Sequence, residues 1–271
     1  MSLEQIIVLA IVQGITEFLP ISSSGHLLIL PALTGWRDQG IATDVMVHVG
    51  SLAAIIAYFW RDVLSLIGGA FDLIRLRWTV PARLALYIIL ATIPALVFAV
   101  ILKRSGALEA IRADDGLKLQ IVAWNAIFFG ILLYAADRYG SRLKAMHDMT
   151  MPPALVIGVA QALALIPGTS RSGITMTAAR ALGFERPEAA RFSFLLGMPA
   201  IAGAGLLTFL EAQESGQPIT PDQWWAAGFS FIASIAAIAF LMALVKRMSF
   251  LPFVIYRLVL GVVLLAIAYN L

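Results

Sequence analysis

Long apolar runs separated by short polar stretches dominate this chain. Four of the runs contain no Asp, Glu, Lys or Arg, namely residues 84–102, 119–136, 192–210 and 223–245. Each is close to the ~20 residues that an α-helix needs to cross the hydrocarbon core of a bilayer. With the further apolar runs 44–60 and 250–271, the pattern predicts six transmembrane helices, and therefore an all-α polytopic membrane protein.

The composition agrees with this pattern. The 271 residues are 61% hydrophobic and 13% charged, with a mean hydropathy of +0.90, whereas soluble domains are about 45–50% apolar and ~25% charged. The net charge is only +3 and there is no basic run, which argues against nucleic-acid binding. The chain has no cysteine, which excludes disulfides and thiolate metal sites. The first residues, "MSLEQIIVLAIVQG", lack the features of a removable signal peptide.

Basic residues are distributed unevenly between the predicted spans. The segments 61–83, 137–150 and 246–249 carry several Lys or Arg each, whereas 211–222 carries none. Because cytoplasmic loops are enriched in Lys and Arg, the first three are predicted to lie inside and the last outside. Segment 103–118 is then outside by alternation, despite its four basic residues.

Two further apolar segments, 1–36 and 151–190, are broken near their middles by Pro, Ser and Gly. Their apolar pieces are short for spanning helices, which favours re-entrant hairpins. The predicted topology makes one hairpin enter from outside and the other from inside. Each is followed by three spans, so we predict a single membrane domain built as an inverted repeat of roughly 1–140 and 151–271.

The two breaks share a motif. Residues 13–26 read "QGITEFLPISSSGH", and residues 161–174 read "QALALIPGTSRSGI". Each stretch begins with Gln and reaches Ser-x-Ser-Gly after the same number of residues. Interrupted hydrophobic segments at corresponding places in two halves are a sequence indicator of a membrane-embedded binding site.

The charges of the two broken segments lie at the breaks. Glu17 is the only charged residue from Gln5 to Trp36, and Arg171 is the first after Met151. A charge at membrane depth costs about 2.5–3.5 kcal/mol on insertion scales and indicates a functional site. If the breaks meet, Glu17, Arg171 and His26 converge with a set of hydroxyls: Ser22, Ser23, Ser24, Thr169, Ser170, Ser172 and Thr175.

The second break has the composition of a phosphate cradle. Pro167 and Gly168 interrupt the helix, and hydroxyls, freed backbone N–H groups and a planar guanidinium all suit phosphate oxygens. The residues predicted to face the oxyanion are Ser170, Arg171, Ser172 and Thr175. Glu17 and His26 add a base or metal ligand and a proton carrier, which pure binding does not require. The combination indicates phosphoryl chemistry on a lipid substrate.

Other interpretations of these residues remain open at this point. The Ser and Gly residues could serve close helix packing, Glu17 and Arg171 could lie at the membrane surface, and His26 could be structural. His48 lies one helical turn after Asp44 and could either pack or support the site. Arg257, in the last span, is expected to extend to the inside surface.

The motifs resemble the two signatures of the undecaprenyl-diphosphate phosphatase family, the bacitracin-resistance-type integral membrane phosphatases. Three other stretches resemble the same family: "FWRDV" at 59–63, "EAARFSFLLGMPA" at 188–200 and "FLPFVIYR" at 250–257. The resemblance implies hydrolysis of undecaprenyl diphosphate to undecaprenyl phosphate and inorganic phosphate in the bacterial cytoplasmic membrane. This reaction recycles the lipid carrier of peptidoglycan synthesis and gives bacitracin resistance. The resemblance further implies a divalent cation, Mg²⁺ or Ca²⁺, and a homodimer.

The resemblance also implies residue roles. Glu17 matches the second acidic position of the first motif, and His26 and Arg171 match an essential histidine and arginine. Ser23 matches the proposed nucleophile, although His26 or water could attack instead. The expected phosphate-binding residues are Ser22, Ser24, Gly168, Thr169, Ser170, Ser172 and Thr175. Gln13 stands where many members have a second glutamate, which leaves Glu17 and Gln13 as the expected metal ligands.

A function of another class uses the same features. Inverted repeats with broken helices occur in transporters, so a polyprenyl-phosphate flippase could bind the same headgroup at the same place. Acid–base groups distinguish the two functions, because hydrolysis requires them and binding does not.

Overall fold

The computed structural model describes residues 2–36, 40–106, 110–111, 113–214 and 219–270. Over these residues the chain is helical, without a β-strand. The α-helices are α1 (Leu3–Thr16), α2 (Ser23–Thr34), α3 (Ile41–Tyr58), α4 (Trp60–Ile74), α5 (Val80–Ser105), α6 (Asp115–Tyr139), α7 (Met151–Ala162), α8 (Arg171–Ala181), α9 (Arg186–Glu214), α10 (Pro221–Val245) and α11 (Leu251–Asn270).

Five of these helices, α5, α6, α9, α10 and α11, are long and apolar enough to cross a bilayer, and α3 with α4 forms a sixth candidate bent by 90°. Each of the six predicted apolar runs falls on one of these helices apart from a few terminal residues. The all-α polytopic architecture predicted from the sequence is therefore confirmed. The inside and outside assignments of the loops stay predictions.

Most of the segment 61–83, which the sequence predicts to be a loop, is the helix α4, and its inside location stays a prediction. Apolar side chains at Leu64, Ile67, Phe71 and Ile74 recur every three or four residues and are exposed, the spacing of one helix face. This helical periodicity is present in the sequence together with the basic residues on which the loop prediction rested. An exposed apolar face of this kind suits a membrane interface.

Four short helices form the two predicted hairpins. α1 and α2 have 14 and 12 residues, and α7 and α8 have 12 and 11. At 1.5 Å per residue even α1 extends only about 21 Å, less than the ~30 Å of a bilayer core. None of the four can cross a membrane alone, in agreement with their interpretation as re-entrant elements.

The two hairpins pack across the halves of the chain. α1 lies against α10, whereas α7 lies against α5, its counterpart in the first half. Small residues permit both approaches. A Cβ on Gly14 would lie 2.5 Å from Ala233 Cβ, and one on Gly158 would overlap the carbonyl of Ala91. This crossed packing is the arrangement expected of the proposed inverted repeat.

An ion cluster fixes the ends of three helices around the second hairpin. The Asp137 carboxylate on α6 accepts from Arg180 Nε at 3.0 Å and from Arg186 Nε at 2.7 Å. It also accepts from the backbone N–H of Phe250 at 3.1 Å. Buried charges are tolerated when they are paired in this way, and the cluster ties α8, α9 and the start of α11 to α6.

Candidate active site

The two breaks share one backbone device. Ser22 and Ser170 cap the following helices with φ of 78° and 73°, values that non-glycine residues adopt at a cost of about 1–3 kcal/mol. The Ser22 hydroxyl accepts from the N–H of Gly25 at 3.3 Å, and that of Ser170 from Gly173 at 3.0 Å. Each cap therefore aims a helix N-terminus, with its positive end of the dipole, towards the junction of the breaks.

A cavity of about 310 Å³ lies at this junction. Both breaks and three other helices contribute to its wall. Its polar lining consists of Glu17, Ser23, Ser24, Asp44, His48, Gln161, Ser170 and Arg171. Apolar residues of α3, α5 and α9 and of the turn that follows α7 complete the lining.

Glu17 is hydrogen-bonded to three other polar side chains. Its Oε1 accepts from Arg171 Nη2 at 2.6 Å, and its Oε2 accepts from the Ser23 hydroxyl at 2.6 Å. Gln13, one helical turn earlier, donates to Oε2 at 3.1 Å. The carboxylate is 5% exposed, so the guanidinium and these donors replace its hydration. One carboxylate thus joins the breaks.

Helix α9 holds the guanidinium of Arg171 in place. Arg171 Nη1 donates to the Ser193 carbonyl at 3.0 Å. Gly197 leaves the necessary room, because a Cβ there would overlap Nη1. Thr175 donates its hydroxyl to the Arg171 carbonyl at 2.7 Å and shares a 2.6 Å hydrogen bond with the Ser193 hydroxyl. These contacts fix the guanidinium against α9, while Arg171 lines the cavity.

The predicted hydroxyl cluster divides into two groups. Ser23, Ser24 and Ser170 line the cavity, whereas the other predicted phosphate-binding residues do not: Ser22, Gly168, Thr169, Ser172 and Thr175. Ser22, Ser172 and Thr175 instead make hydrogen bonds within and between the breaks. For example, Ser172 donates to the carbonyl of Leu19 in the first break at 3.0 Å.

His26 lies outside the cavity, and both of its ring nitrogens are occupied. Nδ1 lies 2.6 Å from the Ser22 carbonyl, which can only accept, so Nδ1 carries the hydrogen. Nε2 lies 2.6 Å from the hydroxyl of Tyr256, whose ring stacks on the imidazole with centroids 5.7 Å apart. The structure does not bring His26 to Glu17.

His48 is the imidazole that does reach Glu17. Its Nε2 lies 3.4 Å from Glu17 Oε2, and its Nδ1 donates to the Asp44 carbonyl at 2.6 Å. Of the two roles that the sequence left open for His48, packing or support of the site, the structure favours the second.

The sequence matches the family described as bacitracin resistance protein BacA over residues 6–263. This chain belongs to that family. Its relatives include the undecaprenyl-diphosphatase of Ruegeria pomeroyi, 46% identical over 272 residues and the full length of both chains. The undecaprenyl-diphosphatase of Erythrobacter litoralis is 49% identical over 98% of this chain and 99% of its own. That of Jannaschia sp. is 47% identical over 99% and 100%.

Arg257 holds the breaks of this BacA family member together. Arg257 is fully buried, so the expectation that it extends to the surface is wrong. Its guanidinium donates to the carbonyls of Pro20 at 3.3 Å and Gly168 at 3.0 Å, one from each break. It also donates to Ala126 and Asn125 of α6. A charge placed inside an apolar run was the available signal.

The expected divalent cation can be compared with the oxygen atoms that the site offers. In the described part of the chain, no three His, Cys, Asp or Glu side chains form a metal-binding group. However, Gln13, whose Nε2 donates to Glu17, has a buried Oε1 without a hydrogen-bond partner. Mg²⁺ commonly takes one or two protein oxygens and completes its shell with water and substrate phosphates. Glu17 and Gln13 each carry a side-chain oxygen of the kind that Mg²⁺ binds.

Proposed function

We propose that this protein hydrolyses undecaprenyl diphosphate to undecaprenyl phosphate and inorganic phosphate. The observation that carries the proposal is the Glu17 carboxylate, which accepts from both the Ser23 hydroxyl and the Arg171 guanidinium at 2.6 Å. A hydroxyl bonded to a carboxylate base is the arrangement of an activated nucleophile. An anion-binding guanidinium beside it positions a phosphoryl group.

In the proposed reaction the terminal phosphate binds between the starts of α2 and α8. Ser23 Oγ attacks its phosphorus while Glu17 Oε2 accepts the hydroxyl proton. The bond to the bridging oxygen breaks, undecaprenyl phosphate leaves, and water then hydrolyses the phosphoserine. The N–H groups of Arg171 and the two helix N-termini stabilise charge on the phosphoryl oxygens. Attack by His26 does not fit its two occupied nitrogens.

A divalent cation, Mg²⁺ or Ca²⁺, is part of this proposal, with Glu17 and Gln13 Oε1 as its protein ligands. When bound, it would neutralise charge on the diphosphate. The protein's own groups hold the headgroup and transfer the Ser23 proton.

The cellular setting follows from the substrate. A multi-pass membrane protein acting on the lipid carrier of peptidoglycan synthesis belongs in the bacterial cytoplasmic membrane, where it would regenerate the carrier and give bacitracin resistance. We propose that the protein assembles as a homodimer, because its resemblance to the family implies one.

The test is phosphate release from a polyprenyl diphosphate by purified protein, with Mg²⁺, Ca²⁺ or EDTA. Release is expected with either cation, and loss of the nucleophile in Ser23→Ala is expected to lower kcat at least about 10³-fold. Ser65→Ala, at an exposed position of α4, is the matched control and should retain wild-type kcat. Headgroup binding without release by well-folded wild type would reject the phosphatase in favour of the flippase. Full activity of Ser23→Ala would reject Ser23 as nucleophile.

A further inference from the structure

Unpaired buried polar atoms are concentrated at the two breaks. Among the described residues, buried side-chain N or O atoms without a hydrogen-bond partner belong to Gln13, Gln161, Thr169 and Glu188. Three of these four residues are in the two motif segments. Folded proteins leave few such atoms, and each one requires an explanation.

Gln161 has two such unpaired atoms, whereas each of the other three residues has one. Both its Oε1 and its Nε2 lack a partner, although the residue is only 2% exposed. It lies in the last turn of α7 and lines the same cavity as Arg171 and Ser170. A buried amide with neither its donors nor its acceptor used destabilises the folded protein, because water bonds to these groups in the unfolded chain.

Gln13, which has the same position in the first motif, shows by comparison why the Gln161 amide is unpaired. Gln13 donates its Nε2 to Glu17, four residues further along the helix. Four residues after Gln161 the chain has Leu165, which offers no acceptor. A leucine or methionine at position 161 would fill the same space without this cost, so packing does not account for the amide.

We infer that Gln161 is a binding residue for the diphosphate headgroup, an inference that rests on the proposed function of the same cavity. Its Nε2 donates to a non-bridging oxygen of the terminal phosphate, on the wall that also carries Arg171. A neutral amide adds N–H donors there without adding charge. The binding of substrate then satisfies a polar group that the protein itself leaves unpaired.

Gln161→Met tests the assignment, because methionine is unbranched, of similar length and apolar. Loss of a donor to a charged oxygen should raise KM by about 10- to 100-fold, while kcat stays within about threefold of wild type because the reacting groups are untouched. Removal of the unpaired amide should raise Tm by about 2–4 °C. A purely structural glutamine would give the opposite result, a lower Tm and an unchanged KM, and either finding would overturn the inference.

Gln13→Met is the matched comparison. Its amide is hydrogen-bonded to Glu17, so this variant should have a lower Tm and a lower kcat. Gln161→Met, by contrast, is expected to have a higher Tm, a higher KM and a nearly unchanged kcat. Gln161→Glu provides a second variant that keeps the shape and replaces the donors with carboxylate oxygens. It should weaken substrate binding at least as much as Gln161→Met, and an unchanged KM would overturn the inference.

A turnover-independent measurement separates this inference from the proposed function. Inorganic diphosphate should raise the Tm of wild type, and the rise should be smaller in both Gln161 variants. If wild type binds diphosphate but releases no phosphate, the phosphatase proposal fails while this comparison still decides the role of Gln161. Equal diphosphate-induced shifts in wild type and both variants would overturn it.

Discussion

The two breaks have the same backbone and different chemistry. Ser22 and Ser170 occupy the same place in the motif, with nearly equal positive φ, and each caps its helix. At the next position the first break has Ser23 and the second has Arg171. Glu17 accepts from both of these side chains, so equivalent positions in the repeat meet on one carboxylate.

The difference between the breaks is a division of labour. The first supplies a hydroxyl and the carboxylate that accepts from it, and the second supplies a guanidinium that donates to the same carboxylate. A single hairpin could not provide both, because one position of the motif cannot hold Ser and Arg together. Repetition of one backbone device therefore gives two chemically distinct helix N-termini at one cavity.

The first break also has an additional hydrogen bond. The Ser22 carbonyl accepts from the backbone N–H of His26 at 3.2 Å and from its ring at 2.6 Å. The Ser170 carbonyl accepts from the backbone of Ile174 at 2.9 Å, and isoleucine has no side-chain donor. The extra bond restrains the turn that places Ser23 against Glu17.

The largest effect on activity is expected from replacing Arg171, the positively charged residue of the second break. Arg171→Lys retains the charge but cannot bridge Glu17 and the Ser193 carbonyl with a planar fork, so kcat/KM should fall about 10²–10³-fold. Arg75→Lys, at an exposed position, should change it less than about twofold. Steady-state phosphate release measures both, and a fully active Arg171→Lys variant would show that charge alone suffices.

An intermediate effect on activity is expected from changing the surface of α9 that packs against Arg171. Gly197→Ala displaces the guanidinium, because the added Cβ overlaps Nη1, and activity should fall about 10- to 100-fold. Gly203→Ala on the same helix meets nothing within 4 Å and should retain activity, with a slightly higher Tm from the better helix former. Equal activities of the two variants would contradict the proposed placement of Arg171.

The smallest effect tests the bond that only the first break has. In His26→Asn the amide nitrogen is attached to Cγ, as Nδ1 is, and can donate to the Ser22 carbonyl. This variant should stay within about tenfold of wild-type kcat, the range of one neutral hydrogen bond, while His26→Ala should lose more. If Asn is as inactive as Ala in a folded protein, the imidazole itself takes part in the chemistry.

Much of this architecture could be predicted from the sequence. Charge-free runs near 20 residues require helices in a membrane, because backbone polar groups must be satisfied internally there. The repeated motif indicated where two breaks would lie, and the isolated charges of Glu17 and Arg171 indicated that the breaks carry function. The phosphatase prediction agrees with the names of the relatives.

Other residues could not be placed in this way. The segment of α4 has a helical periodicity, but its basic residues favoured the prediction of a loop. His26 and His48 were both isolated imidazoles in apolar surroundings, and which one faces Glu17 depends on how α2 and α3 pack. Arg257 looked like an arginine near a helix end, yet it lies between the breaks, donating to four carbonyls of the chain.

The sequence by itself determined the class of fold, the positions of the two interruptions and the residue types available for phosphoryl chemistry. These follow from local rules, since hydrophobic length, Pro and Gly breaks and isolated charges act over a few residues. The tertiary structure alone decided that Ser23 and Arg171 share Glu17, that Gln161 lines the cavity and that Arg257 joins the breaks. Contacts between residues more than a hundred positions apart depend on the packing of whole helices, which no local pattern specifies.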